Sequence, residues 1–402
     1  MSAHPTNPIS PVMVTFLVAG LVAIMPFAID AYLPAMAAMA SDLGTSVHYL
    51  EQSISSFYLG IALGQLVGAP FSDRHGRRPP IMIGLIIFIA ASIAITQATS
   101  SGSLIAWRFV QALGAGVASV NAATIVRDMF DEIGTARLFA NIAVVMMVAP
   151  LFSPLIGAGL LSLFGWPAIF MFLASYAFAI MITLYIWLPE TRYLRRKPVD
   201  KNGYRHVFAS VWSNVLAVSL ACSSVCFFLY LADSAFIFLE FYGFSPSGFA
   251  WLFATGVVML IAAHQINRWL LKFVRPRRIL LYAMPLQTAV SFLLLFACLM
   301  SAPSVWLIYP LIMVLASITQ VINSNGMAIY LSLHPDHAGK ANAVLGSMRF
   351  GMGGLFGFAL VYLHSAHPIT FAALSVIATV MALTLFLACR SRSDLFARHH
   401  ML

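Results

Sequence analysis

Twelve times along the chain a predominantly apolar run of about 20 residues or more is closed by a polar gap. The runs lie at about 11–36, 47–71, 79–98, 101–126, 136–161, 167–189, 207–235, 246–269, 279–300, 303–328, 340–363 and 368–389. About 20 residues at 1.5 Å each give the ~30 Å of a bilayer's hydrocarbon core. Backbone polar groups there must be satisfied within the segment, so each run predicts a membrane-spanning α-helix. The runs are numbered spans 1 to 12.

The polar gaps set the orientation. Of 22 Lys and Arg residues, 20 gather beyond spans 2, 4, 6, 8 and 12 or just before span 11, and the gaps after the odd-numbered spans, 1 through 11, hold none. Arg74, Arg77 and Arg78 follow span 2, and Arg268, Lys272, Arg275, Arg277 and Arg278 follow span 8. Positive residues mark the cytoplasmic side, so this alternation predicts an even number of spans with both ends of the chain cytoplasmic. The one long polar stretch, 190–206, separates 1–189 from 207–402, six spans on each side. SDRHGRRPPIMI after span 2 is echoed by NRWLLKFVRPRRILL after span 8, at the same place in each half. A parallel repeat of this kind places a substrate site between the halves near the midplane.

Composition narrows the classes. At 61% hydrophobic and 9% charged residues, the chain is not a soluble globule. The net charge of +9 sits in loops, so it reports membrane sidedness and not nucleic-acid binding. Cys222, Cys226, Cys298 and Cys389 all fall in apolar runs and read as small buried hydrophobes, with no metal site expected. Span 1 lacks a preceding basic region and a cleavage site, and reads as a retained helix. Neither a phosphate-cradling Gly-Lys-Ser/Thr loop nor a G-x-S-x-G nucleophile motif is present. An enzyme is therefore not expected, nor any catalytic residue or cofactor.

Ionisable residues inside membrane helices are functional candidates, because an unpaired one is costly. Four stand out: Asp30, Arg108, Asp233 and Arg349. Asp30 in span 1 and Arg108 in span 4 have matching depths, so a contact between them is expected, either as a fixed ion pair or as a proton site. Asp233, near the outer end of span 7, reads as a site for a cationic cargo or second proton, or as a solvated acid at the membrane edge. Arg349 in span 11 reads as a counter-charge to Asp233 or Asp30, or as a contact for an anionic or carbonyl-rich cargo. Phe27, Tyr58, Met146, Tyr230 and Phe236 are candidates for an apolar cargo wall. Asn323 is a candidate for cavity or interhelix hydrogen bonds, and His264 is expected at solvent or an interface.

Span 2 carries Gly60, Gly64 and Gly68, a spacing that lets another helix approach closely. It ends in a turn holding Asp73, Arg74, His75, Gly76, Arg77 and Arg78. Gly76 suits a tight turn. Arg77 or Arg74 is expected to pair with Asp128, and Asp73 to cap span 11 near Gly339. The pattern predicts a latch formed when the halves close on this side, with the glycine stripe meeting Gly353 and Gly357 of span 11. Pro150, Pro154, Gly157 and Gly159 are expected to leave a grooved face on span 5.

The turn GAPFSDRHGRRP resembles the loop signature of the major facilitator superfamily. FAIDAYLPAM, WRFVQALGAGVAS running to IVRDMF, APLFSPLIGAGL, EFYGFSPSGFAWLFA and AGKANAVLG narrow the likeness to the bicyclomycin and chloramphenicol resistance (Bcr/CflA) branch of its drug:proton antiporters. The chain departs from the branch pattern at Ala69, Ala123, Asp233 and Arg349. The resemblance implies an all-α integral membrane protein with twelve transmembrane helices in two six-helix pseudo-symmetric halves. It implies a monomer in the bacterial inner membrane that exports small amphiphilic drugs in exchange for protons. Asp30 with Arg108 would then serve proton coupling, with Pro150, Pro154 and Gly157 as the antiporter signature, whereas Asp233, outside the branch pattern, is a proton-coupling candidate from its own place in span 7. An exporter dedicated to one metabolite or siderophore is the alternative within the same fold.

Overall fold

The computed structural model describes residues 10–130, 132–191, 203–300, 303–363 and 367–391, and among these it is helical throughout apart from short turns. Twelve helical segments are long and apolar enough to cross a membrane. They are α1 (Pro11–Asp42, with a tight 3₁₀ turn at Leu33–Ala35), α2 (Val47–His75), α3 (Arg78–Thr96) and α4 (Ser101–Met129). Next come α5 (Arg137–Phe164, the membrane part of a helix that starts at Glu132), α6 (Pro167–Trp187), α7 (Val211–Phe241) and α8 (Pro246–Leu270). The last four are α9 (Pro276–Cys298), α10 (Val305–Ser332), α11 (Ala338–Tyr362) and α12 (Ile369–Cys389). Residues 192–202 of the polar stretch and those beyond 391 lie outside the described residues.

Serine starts many of these helices. The hydroxyls of Ser10, Ser46, Ser100, Ser210, Ser245 and Ser304 each accept from a backbone N–H two or three residues on. Such caps satisfy donors that the helix leaves orphaned where it meets the interface. Helices also outrun the apolar runs: α2 continues to His75 and α10 to Ser332. Hydropathy marks the hydrocarbon, whereas a helix stops only where its backbone is redirected. At Gly76, φ is +98°, a conformation that favours glycine, and α2 ends there.

Packing revises two sequence expectations. The Gly60, Gly64 and Gly68 stripe faces α4 within the same half: a Cβ at any of them would meet the backbone of Phe109, Leu113 or Val117. The spacing specifies close approach without specifying the partner. Across the halves, α11 packs on a different face of α2, with Gly354 against Leu59 and Gly357 against Ser55.

The turn after α2 is likewise tied within the first half. Arg77 is buried; its Nε donates to Asp128 (2.9 Å), and its Nη1 donates to Asp73 (2.9 Å) and Ser72 (3.0 Å). Glu190, just past α6, accepts from the backbone N–H of Arg77 (2.8 Å) and Arg78 (3.1 Å), so it caps the first turn of α3. Arg78 reaches the Tyr185 carbonyl and lies over that ring, 4.7 Å from its centroid. The expected Arg77–Asp128 pair is present, but it joins α4 to its own half and does not bridge the two. Burial disfavours the charged guanidinium of Arg77, and the Asp128 and Asp73 carboxylates outweigh that to hold its pKa above the ordinary value. Across the halves at this end, Arg127 comes near the head of α11: a Cβ at Gly339 would lie 3.8 Å from its Nη1.

Candidate functional site

A cavity of about 270 Å³ opens between the halves. Met25, Pro26, Ile29 and Asp30 of α1 and Met146 and Pro150 of α5 form one side. Phe227, Phe228, Tyr230 and Leu231 of α7, Phe253, Val257, Leu260, Ile261 and His264 of α8, Gln320 of α10, and Arg349 and Phe350 of α11 form the other. His264 lies six residues before the end of α8, so the cavity runs from Asp30 toward the end of the bundle that carries Arg77 and Arg268. His264, expected at solvent or an interface, lines this cavity between the halves.

Most of the wall is apolar, and its few polar groups are held differently. Asp30 is 4% exposed, and its Oδ1 has no hydrogen-bond partner. Arg349 is fixed: its Nε donates to Ser224 Oγ (2.9 Å), which donates to Asn323 Oδ1 (2.8 Å), and Asn323 approaches Gln320 (3.4 Å). This chain of hydrogen bonds runs across α11, α7 and α10 and holds one guanidinium edge while the residue faces the cavity. Tyr230 stacks on Phe253, 5.8 Å between centroids. A volume of this size with a carboxyl on one side and a guanidinium on the other suits a small amphiphile.

The structure brings Asp30, Met146, Pro150, Tyr230 and Arg349 together and places other candidates elsewhere. Phe27 turns away to pack on Tyr176 (5.3 Å) and Phe172 (6.1 Å) of α6. Tyr58 lies behind the wall, against Phe228 (4.8 Å) and Phe350 (6.1 Å), with its hydroxyl buried and unpartnered. Pro154 sits one turn beyond Pro150 on α5, and a Cβ at Gly157 would meet the Ala31 carbonyl, so this face serves α1–α5 packing.

Arg108 does not pair with Asp30. It is completely buried, donates to the Ala28 carbonyl (3.0 Å) and Gln111 Oε1 (2.6 Å), and lies over the rings of Phe57 (4.2 Å) and Tyr32 (4.3 Å). Gln111 is anchored in turn to Ser92 of α3 (2.7 Å). Matching depth was the sequence argument for a pair, but residues 28 and 30 diverge by about 200° around the helix. The cation meets the α1 backbone while the carboxyl side chain joins the cavity wall.

Asp233 and Phe236 lie beyond the cavity, about one turn and nearly two turns further along α7 than Tyr230. There Asp233 meets His48 and Glu51 of α2, with one candidate ligand atom of each within 4.8 Å of the others. His48 and Glu51 were missed because they open span 2, where charged residues normally reach water. Their i, i+3 spacing was the available signal.

The architecture is that of a multi-pass membrane transporter, not an enzyme. Residues 16–358 match the Major Facilitator Superfamily, and the chain belongs to that family. It is 29% identical over 353 residues to the bicyclomycin resistance protein homolog of Haemophilus influenzae, covering 86% of this chain and 88% of that protein. It is 27% identical over 379 residues to the chloramphenicol resistance protein of Pseudomonas aeruginosa, covering 88% and 86%. Both relatives carry the names of the branch that the sequence motifs resemble. A D-xylose-proton symporter shares the fold at 14% identity with a TM-score of 0.72, covering 94% of this chain and 98% of that one.

Proposed function

We propose that this protein exports a small amphiphilic compound in exchange for protons across the bacterial inner membrane, with both chain ends in the cytoplasm. The observation that carries the reading is Asp30: a buried carboxyl, one oxygen unpartnered, on the wall of an apolar cavity between two helical halves. A carboxyl so placed binds either a proton or a cargo's positive or hydrogen-bond-donating group. Competition between the two couples export to proton entry. The source of positive sidedness is the Lys and Arg alternation, and energy comes from the proton gradient, without a bound cofactor. The names of the relatives support a neutral or zwitterionic antibiotic-like cargo; Arg349 supports one with a carbonyl or anionic group. Arg108 acts as a positioning residue that braces α1 beside Asp30, and Pro150 leaves α5 with a backbone carbonyl free to face the cavity.

A second reading, a dedicated metabolite or siderophore exporter, is favoured by the fixed orientation of Arg349. Asp233 does not line the cavity, so specificity under that reading falls to Arg349 alone.

The test is proton release into a weakly buffered solution of purified protein on adding neutral, cationic and zwitterionic compounds. Release with several unrelated compounds, lost in Asp30→Asn, is the expected result. Release retained in Asp30→Asn would overturn the assignment, and release with a single compound would move the reading to a dedicated exporter.

A further inference from the structure

The His48, Glu51 and Asp233 cluster lies outside the cavity and joins the two halves. His48 and Glu51 come from the first half and Asp233 from the second, and they are 8%, 0% and 3% exposed. His48 Nε2 lies 2.9 Å from the carbonyl oxygen of Val361, at the end of α11, so this imidazole also spans the halves. Its other nitrogen, Nδ1, lies 3.0 Å from Glu51 Oε2. Glu51 Oε1 is buried without a hydrogen-bond partner, and the Asp233 carboxyl stands beside it.

Hydrogens can be counted from these contacts. A carbonyl oxygen only accepts, so Nε2 carries the hydrogen that faces Val361. Nδ1 and Oε2 at 3.0 Å then need a hydrogen between them, and two adjacent carboxyls need another. Electrostatics gives the same count: a neutral imidazole with two carboxylates is a buried charge of −2, which two protons cancel. Among the described residues no Lys or Arg pairs with Glu51 or Asp233. The other titratable groups facing the cluster are Glu240, about two turns further along α7, and the Cys298 thiol at the end of α9. Neither supplies positive charge.

We propose that His48, Glu51 and Asp233 form a proton-binding site shared by the two halves, separate from Asp30, that holds two protons while this end of the bundle is closed and releases them when it opens. On opening, α2 and α7 part, water reaches the carboxyls, and each O–H bond breaks with its electron pair left on oxygen and its proton passed to water. The inference rests on the proton-coupled export proposed above. It adds a second ligand site, with protons as the ligand and opening of one end as the consequence.

The experiment places spin labels at Tyr49→Cys and Tyr362→Cys, exposed positions (42% and 90%) on opposite halves near the cluster. The four natural cysteines are buried, and unlabelled wild type controls for them. Distances are measured from pH 5 to 9 with a chelator present. The expected result is a short distance at low pH that gives way to a longer one as pH rises. In Glu51→Gln with Asp233→Asn the short distance persists throughout, because neutral amides keep the contacts without needing protons.

A wild-type distance indifferent to pH, or a double variant with the wild-type midpoint, overturns the proposal. A short state held at high pH only by added zinc also overturns it, since one divalent cation would then supply the charge assigned to two protons. Asp30→Asn separates the sites: a surviving pH response supports a distinct cluster. Its loss in Asp30→Asn alone assigns the titration to the cavity and overturns this inference while leaving the export reading intact. If the double variant does not fold, infrared spectra of Glu51→Gln decide: the protonated-carboxyl band must be smaller than in wild type at low pH, and an unchanged band overturns the proposal.

Discussion

Arg108 donates a hydrogen bond to the carbonyl of Ala28, 3.0 Å away, and leaves Asp30, two residues on, without its charge as a partner. The guanidinium is accommodated by a carbonyl, an amide oxygen and two aromatic faces, a set that fits a planar cation and not a compact ammonium. Charge-assisted hydrogen bonds contribute about 1.5–3 kcal/mol each. Arg108→Lys is therefore expected to lower stability by about 2 kcal/mol, read as a fall in Tm by thermal unfolding in detergent. Gln111→Leu, which frees the same guanidinium edge, is expected to act in the same direction. An Arg108→Lys protein with wild-type Tm would count against this account of the buried cation.

Gly76 and Glu190 form a second such unit. The positive φ of 98° alone disfavours a side chain, and a Cβ would also lie 2.6 Å from a Glu190 carboxylate oxygen. Backbone in this region costs about 1–3 kcal/mol for a residue other than glycine. Gly76→Ala is expected to destabilise the first half by that amount, and Glu190→Gln by about 1 kcal/mol through a weaker cap on α3. Combining the two should cost less than their sum, because the first change already displaces the carboxylate. Thermal unfolding of the single and double variants checks this.

His334 gives a pH dependence with a definite sign. It follows α10, outside the membrane span, with Nε2 2.6 Å from Ser213 Oγ and its ring 5.2 Å from that of Tyr330. Burial, then the neighbouring His337, lowers its pKa below the ordinary histidine value. The folded protein consequently binds fewer protons than the unfolded chain as pH falls through the histidine range near 6.5, so stability declines on acidification. Melting curves between pH 8 and 5.5 should show this decline, and His334→Gln, which keeps a hydrogen-bonding side chain, should flatten it. An unchanged slope in His334→Gln would assign the decline to other groups.

The twelve spans were legible because a bilayer imposes one length and one polarity on every helix that crosses it, and the family because the turn from Gly68 to Arg78 and its companion motifs have specific residues at specific spacings. Placement within the bundle was less legible. Gly60, Gly64 and Gly68 specify a close neighbour, and nothing in their spacing says whether that is α4 or α11. Depth along a helix can be counted from its ends, and so Asp30 and Arg108 looked paired. Rotation about the axis, which puts one on the cavity wall and the other against backbone, needs the packing of every neighbour. Glu51 and His48 escaped because the first turn of a span ordinarily touches water; burying them required a second half that closes over α2.

Arg349 separates the two export readings. Its Nε is committed to Ser224, which presents the other edge of a planar fork in a fixed direction to the cavity. A lysine in its place retains the positive charge and loses the fork. If the cargo carries a carboxylate or paired carbonyls, Arg349→Lys should raise its KM about tenfold, equivalent to ~1.4 kcal/mol, and Ser224→Ala should raise it less by letting the guanidinium wander. If the cargoes are diverse amphiphiles bound mainly through Tyr230, Phe228 and Phe253, Arg349→Lys should change most KM values less than twofold. Measuring transport KM for one acidic and several neutral compounds in wild type, Arg349→Lys and Ser224→Ala distinguishes these cases. A tenfold loss confined to one compound identifies a dedicated exporter, and a flat response across compounds supports a multidrug cavity in which the arginine braces α11 against α7.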